Sequence, residues 1–409
     1  MPNESGSPCI ALYTHDTFGL GHVQRCSRIM SAISALDPES SLLLITGAPS
    51  LHVLGSLPKN ADYVKIPTLA RTGNPESRPP HLPLEVRRIT EIRQRIVKET
   101  LLAYQPDVFL VDNFPLGARR ELLPVLRALR ETPTKIMLGL RDILDHPELV
   151  RADWTEQKLY QLMDELYDYV LVYGMQEIFD IADAYEMPPS NSQKVKYCGY
   201  GVPPVRPSLT KEQARADLGV DGKFILATVG GGGDGMPLLE TFLKAKSRIP
   251  DVPAVVLTGP LMGGPDREAV HRLAEGVPGI IFQDYLKDLP SYMAVADVVV
   301  SMGGYNTSAE IVAVEANAII VPRTWEYGQH LNREQVREEG EQIIRAKALT
   351  KLGIVDMLEP QELDARHLAK KIKSALKHPR GKSSMPVNTQ GIQNAAKFVL
   401  EQAQERGHD

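Results

Sequence analysis

The chain contains few cysteines, no long apolar run and no excess of basic residues. Three widely spaced cysteines in 409 residues favour neither a disulfide framework nor a zinc site, and they suit a reducing cytoplasm. A formal net charge of −5 provides no electrostatic basis for binding nucleic acid. No apolar run reaches the roughly 18 residues of a membrane helix, and no basic-then-apolar segment indicates a secretory signal. We therefore expect a cytoplasmic protein that does not bind nucleic acid.

The composition is that of ordinary globular domains, with 43% hydrophobic and 24% charged residues. The length predicts two domains. A stretch rich in glycine and proline, Tyr197–Pro207, separates two series of alternating strand and helix patterns. We predict an α/β protein with a first domain over residues 1–200 and a second over residues 201–385. A final helix, within residues 386–409, could cross back to the first domain or pack within the second.

The most informative stretch lies in the second half of the chain. A short β-branched run, Val298–Ser301, predicts a buried strand; Gly303 and Gly304 break it, and a helix is expected from Thr307 to Ala316. Such a unit aims backbone N–H groups and a helix's positive end at one point, where a phosphate binds well.

One helical turn into that helix stands Glu310, which could hold ribose hydroxyls. Thr307 and Glu310 also have the spacing of a capping box, so a structural role is about as well supported. After a second strand, Ala318–Pro322, a loop and helix carry Gln329, His330 and Asn332. These side chains suit sugar hydroxyls, although a solvated helix face explains them equally simply.

The first half repeats the strand–loop–helix unit, with a strand over Cys9–Thr14, a loop containing Gly21, and a helix over Val23–Leu36. His22 stands at the helix start, where the positive helix end lowers the pKa of a histidine and keeps it neutral, as a base requires. Local hydrogen bonds are the alternative explanation. Arg25 could face a phosphate or an acceptor, or pair with a carboxylate.

Polar side chains follow two other predicted strands: Asp112 and Asn113 after one, Arg141 and Asp142 after the next. Ligands of open parallel sheets bind beyond the carboxyl ends of the strands. Asp112 or Asp142 could therefore orient His22 or act as the base, while caps and strand-end salt bridges remain the alternative.

A run of four glycines, residues 230–233, follows a predicted strand and offers a backbone nest for an anion. No Gly-Lys-Ser/Thr follows, so the loop is not of the Walker A type. A helix over Glu85–Tyr104 carries five basic residues, which permits a peripheral membrane contact, but interleaved glutamates favour a solvent-exposed face.

The motif from Gly303 to Glu310, the strand ending in Pro322 and the Gln-x-x-Asn spacing resemble the donor half of GT-B glycosyltransferases. The resemblance is to the MurG family, which makes lipid II, and to its relatives of family 28. The Gly-Leu-Gly-His-Val-x-Arg string at residues 19–25 also resembles nucleotide-sugar hydrolases of pseudaminic acid synthesis. It departs from the Gly-Gly-Thr-Gly-Gly-His loop of the MurG family.

The resemblance implies two Rossmann-like, parallel-sheet domains facing an interdomain cleft. It implies transfer of a sugar from a nucleotide-sugar donor, with UDP favoured, to a hydroxyl acceptor, without a metal or cofactor and with inversion. A hydrolase, a 2-epimerase and a non-catalytic nucleotide-sugar binding protein are the alternatives. The expected catalytic residues are His22, Asp112 and Asp142. The expected donor-binding residues are Gly21, Arg25, Gly231, Gly232, Leu286, Gly303, Gly304, Tyr305, Asn306, Thr307, Glu310, Gln329, His330 and Asn332.

Overall fold

A computed structural model describes residues 6–15, 21–48, 57–71, 77–78, 82–202, 209–323, 340–380 and 385–405. The chain divides into two compact units. The first comprises Met1–Pro203 with Gln390–Asp409, and the second comprises Pro204–Thr389.

The first unit is built on a seven-stranded, entirely parallel sheet in the order β3-β2-β1-β6-β7-β8-β9. The strands of the sheet are β1 Cys9–Thr14, β2 Ser41–Thr46, β3 Ala61–Lys65, β6 Val108–Asp112, β7 Lys135–Arg141, β8 Tyr169–Tyr173 and β9 Val195–Tyr197. Two further strands, β4 Ala70–Arg71 and β5 Ser77–Arg78, form a separate antiparallel ladder. Central strands such as β1 and β6 are buried along their whole length. Near-continuous apolar runs form such strands because helices cover both faces of a parallel sheet.

The helices that connect these strands lie between them in the sequence. They are α1 Gly21–Leu36, α2 Val86–Tyr104, α3 Leu123–Arg130, α4 Pro147–Glu156, α5 Leu159–Leu166, α6 Ile181–Ala184 and α7 Pro189–Ser192. Parallel strands joined by such crossovers place all their carboxyl ends at one edge of the sheet.

The second unit repeats this architecture with a six-stranded parallel sheet in the order β12-β11-β10-β13-β14-β15. Its strands are β10 Ile225–Thr228, β11 Ala254–Leu257, β12 Ile280–Gln283, β13 Val298–Ser301, β14 Ala318–Ile320 and β15 Asp356–Met357. Its helices are α8 Lys211–Leu218, α9 Met236–Lys246, α10 Gly264–Ala274, α11 Leu289–Val295, α12 Tyr305–Ala313, α13 Glu341–Lys351 and α14 Ala365–Lys377. The predicted α/β class with two parallel sheets is confirmed.

The last helix, α15 Gly391–Gln404, belongs to the first unit and packs along α1. Its first residue lies against the chain after β9: the Gly391 N–H donates to the Tyr200 carbonyl over 3.0 Å. A Cβ at Gly391 would come within 2.1 Å of the Gly199 carbonyl oxygen, so the contact requires a residue without a side chain.

Three local features complete the first unit. Strand β9 extends the sheet by pairing in parallel with β8. The Asp180 side chain caps α6 by accepting from the N–H groups of Ala182 and Asp183. Strands β4 and β5 pair with each other in an antiparallel ladder.

The basic face of α2 is not wholly solvated. Arg93 is fully buried and paired with Glu121, and Tyr13 donates its hydroxyl to the same carboxylate. Among the described residues, no helix combines the length and apolar character that a membrane span needs.

Candidate functional site

At the carboxyl edge of the first sheet, His22 meets Asp112. Helix α1 begins at Gly21, two residues before the predicted start, so His22 lies in its first turn. Strand β6 runs beside β1 and ends at Asp112, whose Oδ2 lies 2.7 Å from His22 Nδ1. With the proton on Nδ1 donated to Asp112, His22 keeps the lone pair of Nε2 for accepting a proton. The pair is therefore arranged as a base with an orienting carboxylate.

Arg25 completes this cluster. Its Nε donates to Asp112 Oδ1 and its Nη2 to Asp112 Oδ2, each over 2.8 Å, and Nη2 is 3.0 Å from His22 Nδ1. The guanidinium also lies over the ring of Tyr173, 5.1 Å from its centroid. Of the roles that the sequence left open, the structure places Arg25 on a carboxylate; a contact with donor or acceptor stays a prediction.

The electrostatics of the cluster favour a charged Asp112 and a neutral His22. Burial alone would raise the pKa of Asp112, but the Arg25 charge and the His22 hydrogen bond outweigh it and hold the pKa well below its ordinary value. Burial lowers the pKa of His22, and Asp112 opposes that shift only in part. A neutral imidazole near pH 7 is the form that a general base needs.

Sequence reasoning overlooked His15, the residue that directly follows β1. Its buried ring lies 4.7 Å from the His22 ring and 4.3 Å, edge-on, from the ring of Phe114. Burial, and then the charge of His22, lower the pKa of His15 well below the ordinary value. Within the described part of the chain, His15 Nδ1 and Asn113 Oδ1 are buried and have no hydrogen-bond partner. Asn113 also has a left-handed φ of 67°, which is uncommon outside glycine.

Asp142 follows β7 at the same edge but has other contacts. Its Oδ1 accepts from the Ile143 N–H over 2.7 Å, and its Oδ2 accepts from the Tyr200 hydroxyl over 3.3 Å. The structure therefore brings Asp112 to His22 as the orienting carboxylate. A catalytic role for Asp142 remains a prediction.

In the second unit, the first turn of α12 leaves backbone N–H groups without a partner in the helix. The helix begins at Tyr305 with Gly304 as its N-cap, and Gly304 supplies no side-chain cap. The first intrahelical bond runs from the Ser308 N–H to the Gly304 carbonyl over 2.9 Å, so the N–H groups of Asn306 and Thr307 have no partner within the helix. A Cβ at Gly304 would meet nothing within 4 Å among the described residues.

This geometry overturns the capping-box explanation of Thr307. Thr307 is the third residue of α12 rather than its cap, because the extended Gly304 turns the chain two residues earlier than predicted. Glu310 stands one turn further along the helix and is half-buried. Its predicted contact with ribose hydroxyls stays a prediction.

Glycine backbone surrounds this helix start. The position of a Cβ at Gly230 is 3.6 Å from Thr307 Oγ1. Gly232, with a φ of 92°, lies so close to the turn after β11 that a Cβ would be 2.1 Å from the Thr258 carbonyl oxygen. The Leu261 N–H donates to the Gly231 carbonyl over 2.8 Å and ties the two loops together. The loop is therefore held with bare backbone next to α12.

The segment containing Leu286 follows β12 and adjoins the same loops. The Gly259 N–H donates to the Asp284 carbonyl over 3.0 Å, and Leu286 is half-buried two residues later. Binding of the donor at Leu286 stays a prediction.

Arg345 supports the turn before α12. Its Nη1 donates to the Gly303 carbonyl over 3.0 Å, and the fully buried guanidinium lies 5.7 Å from the centroid of the Tyr305 ring. Gly303 needs to be glycine, since its φ is 86° and a Cβ would lie 2.8 Å from the side chain of Ile320. Sequence reasoning missed Arg345 because its partner is a backbone carbonyl some forty residues earlier in the chain.

A second arginine, Arg323, follows β14 and pairs with Asp234 of the glycine loop. The Gln342 side chain accepts from the Arg323 N–H over 3.1 Å. Sequence reasoning missed all three residues. Across the described ranges, no group of three or more histidine, cysteine, aspartate or glutamate side chains is arranged to hold a metal ion.

Comparison with known proteins identifies the second half of the chain. The model of the glycosyltransferase family 28 C-terminal domain matches residues 226–399. Those residues are a family 28 domain. The predicted resemblance is thereby confirmed, and α12 with its glycine loops lies inside the family 28 domain.

Relatives with the same printed name match less than half of the chain. The UDP-N-acetylglucosamine–N-acetylmuramyl-(pentapeptide) pyrophosphoryl-undecaprenol N-acetylglucosamine transferase of Desulforudis audaxviator is 29% identical over an alignment of 197 residues, and the match covers 44% of this chain and 48% of that protein. The enzyme of the same name from Caldicellulosiruptor saccharolyticus is 29% identical over 182 residues, 44% of this chain and 46% of that protein. The chain thus spans about half the length of the relatives that it matches.

The fold is shared over nearly the whole length. MurG of Acinetobacter baumannii has a TM-score of 0.60 at 13% identity, covering 97% of this chain and 99% of that one. UDP-GlcNAc 2-epimerase of Neisseria meningitidis has the same score at 14% identity, again covering 97% and 99%. The predicted GT-B fold is confirmed, and because transferases and epimerases share it, the fold alone does not select the reaction.

The sequence-predicted residues of the family 28 domain are only partly assembled by the structure. Gly303 and Gly304 directly precede the first turn of α12, and Gly230, the neighbour of Gly231 in the glycine loop, faces Thr307 of that turn. Gln329, His330 and Asn332 lie outside the described residues. Their predicted contacts with a sugar are therefore left as predictions.

Proposed function

We propose that the protein is a glycosyltransferase that moves a sugar from a UDP-sugar to a hydroxyl acceptor, without a metal and with inversion. The observation that carries the proposal is the first turn of α12, which has no side-chain cap and lies next to glycine backbone inside a family 28 domain. Backbone N–H groups at a helix start stabilise the negative charge of a phosphate. The named relatives are N-acetylglucosamine transferases, which supports a UDP-linked donor.

In the proposed reaction, His22 Nε2 takes the proton of the acceptor hydroxyl. The acceptor oxygen forms a bond to the anomeric carbon while the bond from that carbon to the phosphate oxygen breaks. A single displacement of this kind inverts the configuration. Asp112 holds the His22 ring and balances the charge that it gains, and the α12 start stabilises the departing diphosphate.

The proposal is tested by binding first and by chemistry second. A thermal-shift screen of UDP-, GDP- and dTDP-sugars identifies the donor, since a ligand of the native state raises its stability. The donor that binds is then incubated with panels of hydroxyl acceptors, with and without EDTA, and the anomeric configuration of the product is read by NMR. Transfer that continues in the presence of EDTA and inverts the anomeric configuration supports the proposal. A product that retains the anomeric configuration of the donor contradicts it.

His22 provides a sharper test of the mechanism. Replacement of His22 by Ala should reduce turnover by about 100- to 10,000-fold, the contribution of a general base, and leave the affinity for UDP nearly unchanged. Turnover is measured from initial rates and the affinity for UDP by calorimetry, both on the same preparation. Undiminished turnover would remove His22 from the mechanism.

A hydrolase is the second candidate, because the residue 19–25 string favours it and the His22–Asp112 pair could activate water equally well. Incubation with a UDP-sugar alone distinguishes the two reactions. Rapid stoichiometric release of UMP or UDP with free sugar identifies hydrolysis, and slow release that an acceptor accelerates identifies transfer. Tight binding without turnover on any acceptor would instead identify a binding protein.

A further inference from the structure

The ion pair between Arg323 and Asp234 lies beside the proposed phosphate site. Asp234 belongs to the glycine loop between β10 and α9, and Arg323 follows β14. Nη1 of Arg323 donates to Oδ2 of Asp234, with 30% of the arginine side chain and 18% of the aspartate side chain exposed. The pair is thus formed by groups that solvent and a ligand can still reach.

Two further contacts locate Arg323 between the backbone segments of that site. The Arg323 N–H donates to Gln342, whose backbone oxygen is 3.6 Å from the position of a Cβ at Gly303. At the other end of the pair, the loop of Asp234 also contains Gly230, which faces Thr307 in the first turn of α12. The guanidinium therefore joins the loop to the strand end that precedes the same helix start.

The charges make this pair unlike an ordinary surface salt bridge. A carboxylate next to an anion site repels the anion, so Asp234 opposes binding unless a cation neutralises it. A partly exposed ion pair is weak and exchanges partners readily. A diphosphate carries more negative charge than a carboxylate, and its oxygens match the planar donor set of a guanidinium.

We propose that Arg323 is a ligand of the donor's diphosphate, and that Asp234 holds its side chain in the unliganded protein. This inference rests on the proposed function, which supplies the diphosphate. On binding, N–H groups of Arg323 donate to phosphate oxygens in place of Asp234. Asp234 then lowers the affinity of the site, and Arg323 raises it.

The two roles predict opposite effects for the two variants. In Arg323→Ala, the dissociation constants of UDP and of inorganic pyrophosphate should rise by about 10- to 100-fold, the size of a hydrogen bond to a charged group. In Asp234→Asn, both constants should fall by about 2- to 10-fold, because the like charge beside the ligand is gone. Binding of uridine, which has no phosphate, should change in neither variant.

Calorimetry on the full-length protein at two salt concentrations makes these measurements. The salt dependence of UDP binding should be shallower for Arg323→Ala than for the wild type, since one charge contact is lost. Arg380→Ala is the matched control, because Arg380 forms a comparable ion pair with Asp356 at 2.8 Å in the same unit, at the start of β15. That control should leave the UDP dissociation constant unchanged.

If both Arg323→Ala and Asp234→Asn weaken UDP binding, the ion pair only braces the loop and the inference is wrong. Unchanged UDP binding in Arg323→Ala also overturns the inference. In both of these cases the wild-type protein still binds UDP, so the proposed function is not contradicted. A wild-type protein that binds neither UDP nor pyrophosphate overturns the inference together with the proposed function.

Discussion

Asp112→Asn should destabilise the first unit strongly, because it leaves the buried positive charge of Arg25 without its carboxylate partner. The wild-type carboxylate is fully buried and receives two N–H bonds of 2.8 Å from Arg25, whose side chain is only 4% exposed. Removal of one partner of a buried ion pair typically costs about 3–5 kcal/mol. Asparagine keeps the shape and one acceptor oxygen but not the charge. We therefore expect the free energy of unfolding to fall by about 3–5 kcal/mol at pH 7.

The assay is urea unfolding followed by tryptophan fluorescence. The chain has two tryptophans, and Trp154 is buried in the core of the first unit, so a Trp325→Phe background reports on that unit through Trp154 alone. Asp164→Asn is the matched control, since Asp164 is 47% exposed in its ion pair with Lys194. The control should cost less than about 1 kcal/mol.

The pH dependence supplies a second check. The pKa of Asp112 in the folded protein lies below its ordinary value of 3.8. The contribution of the Asp112 carboxylate to the free energy of unfolding is therefore fully present above the ordinary pKa, and it is lost as the pH falls through the folded pKa. The difference in stability between wild type and variant should therefore narrow below about pH 4. A loss in Asp112→Asn no larger than in Asp164→Asn, or a difference that does not narrow in acid, would refute the reasoning.

Three further predictions concern the two candidate sites. Because burial lowers the His22 pKa, the acid limb of the turnover–pH profile should have its midpoint below the ordinary value of 6.5, and a midpoint above it would contradict the assignment. Gly232→Ala should lower the free energy of unfolding by about 2 kcal/mol or more in urea titration, since it adds a clash to a left-handed backbone. Gly264→Ala should cost almost nothing, because a Cβ there meets no described atom within 4 Å. Arg345→Met should weaken UDP binding by about 10-fold in calorimetry, because the Gly303 carbonyl loses its buried donor, and unaltered affinity would limit Arg345 to a structural role.

Local patterns predicted the strands of both sheets closely. The runs Cys9–Thr14 and Val298–Ser301 have the bounds that the structure gives β1 and β13. A buried parallel strand needs apolar residues on both faces, so its extent can be read from neighbouring letters. Helix starts were less accurate, since α1 and α12 each begin two residues before the predicted residue. For α12, the start follows the turn made by Gly303 and Gly304 rather than the apolar pattern.

The site residues divide along the same line. The sequence by itself determined which glycines leave the backbone uncovered by side chains and which polar residues follow the strands. Strand–loop–helix units bring both kinds of residue to the carboxyl edge of the sheet. Only the tertiary structure decided that Asp112 rather than Asp142 meets His22, since that choice depends on β6 lying next to β1. The partners of Arg323 and Arg345 were equally out of reach, because a charged side chain carries no local record of the distant group that it will contact.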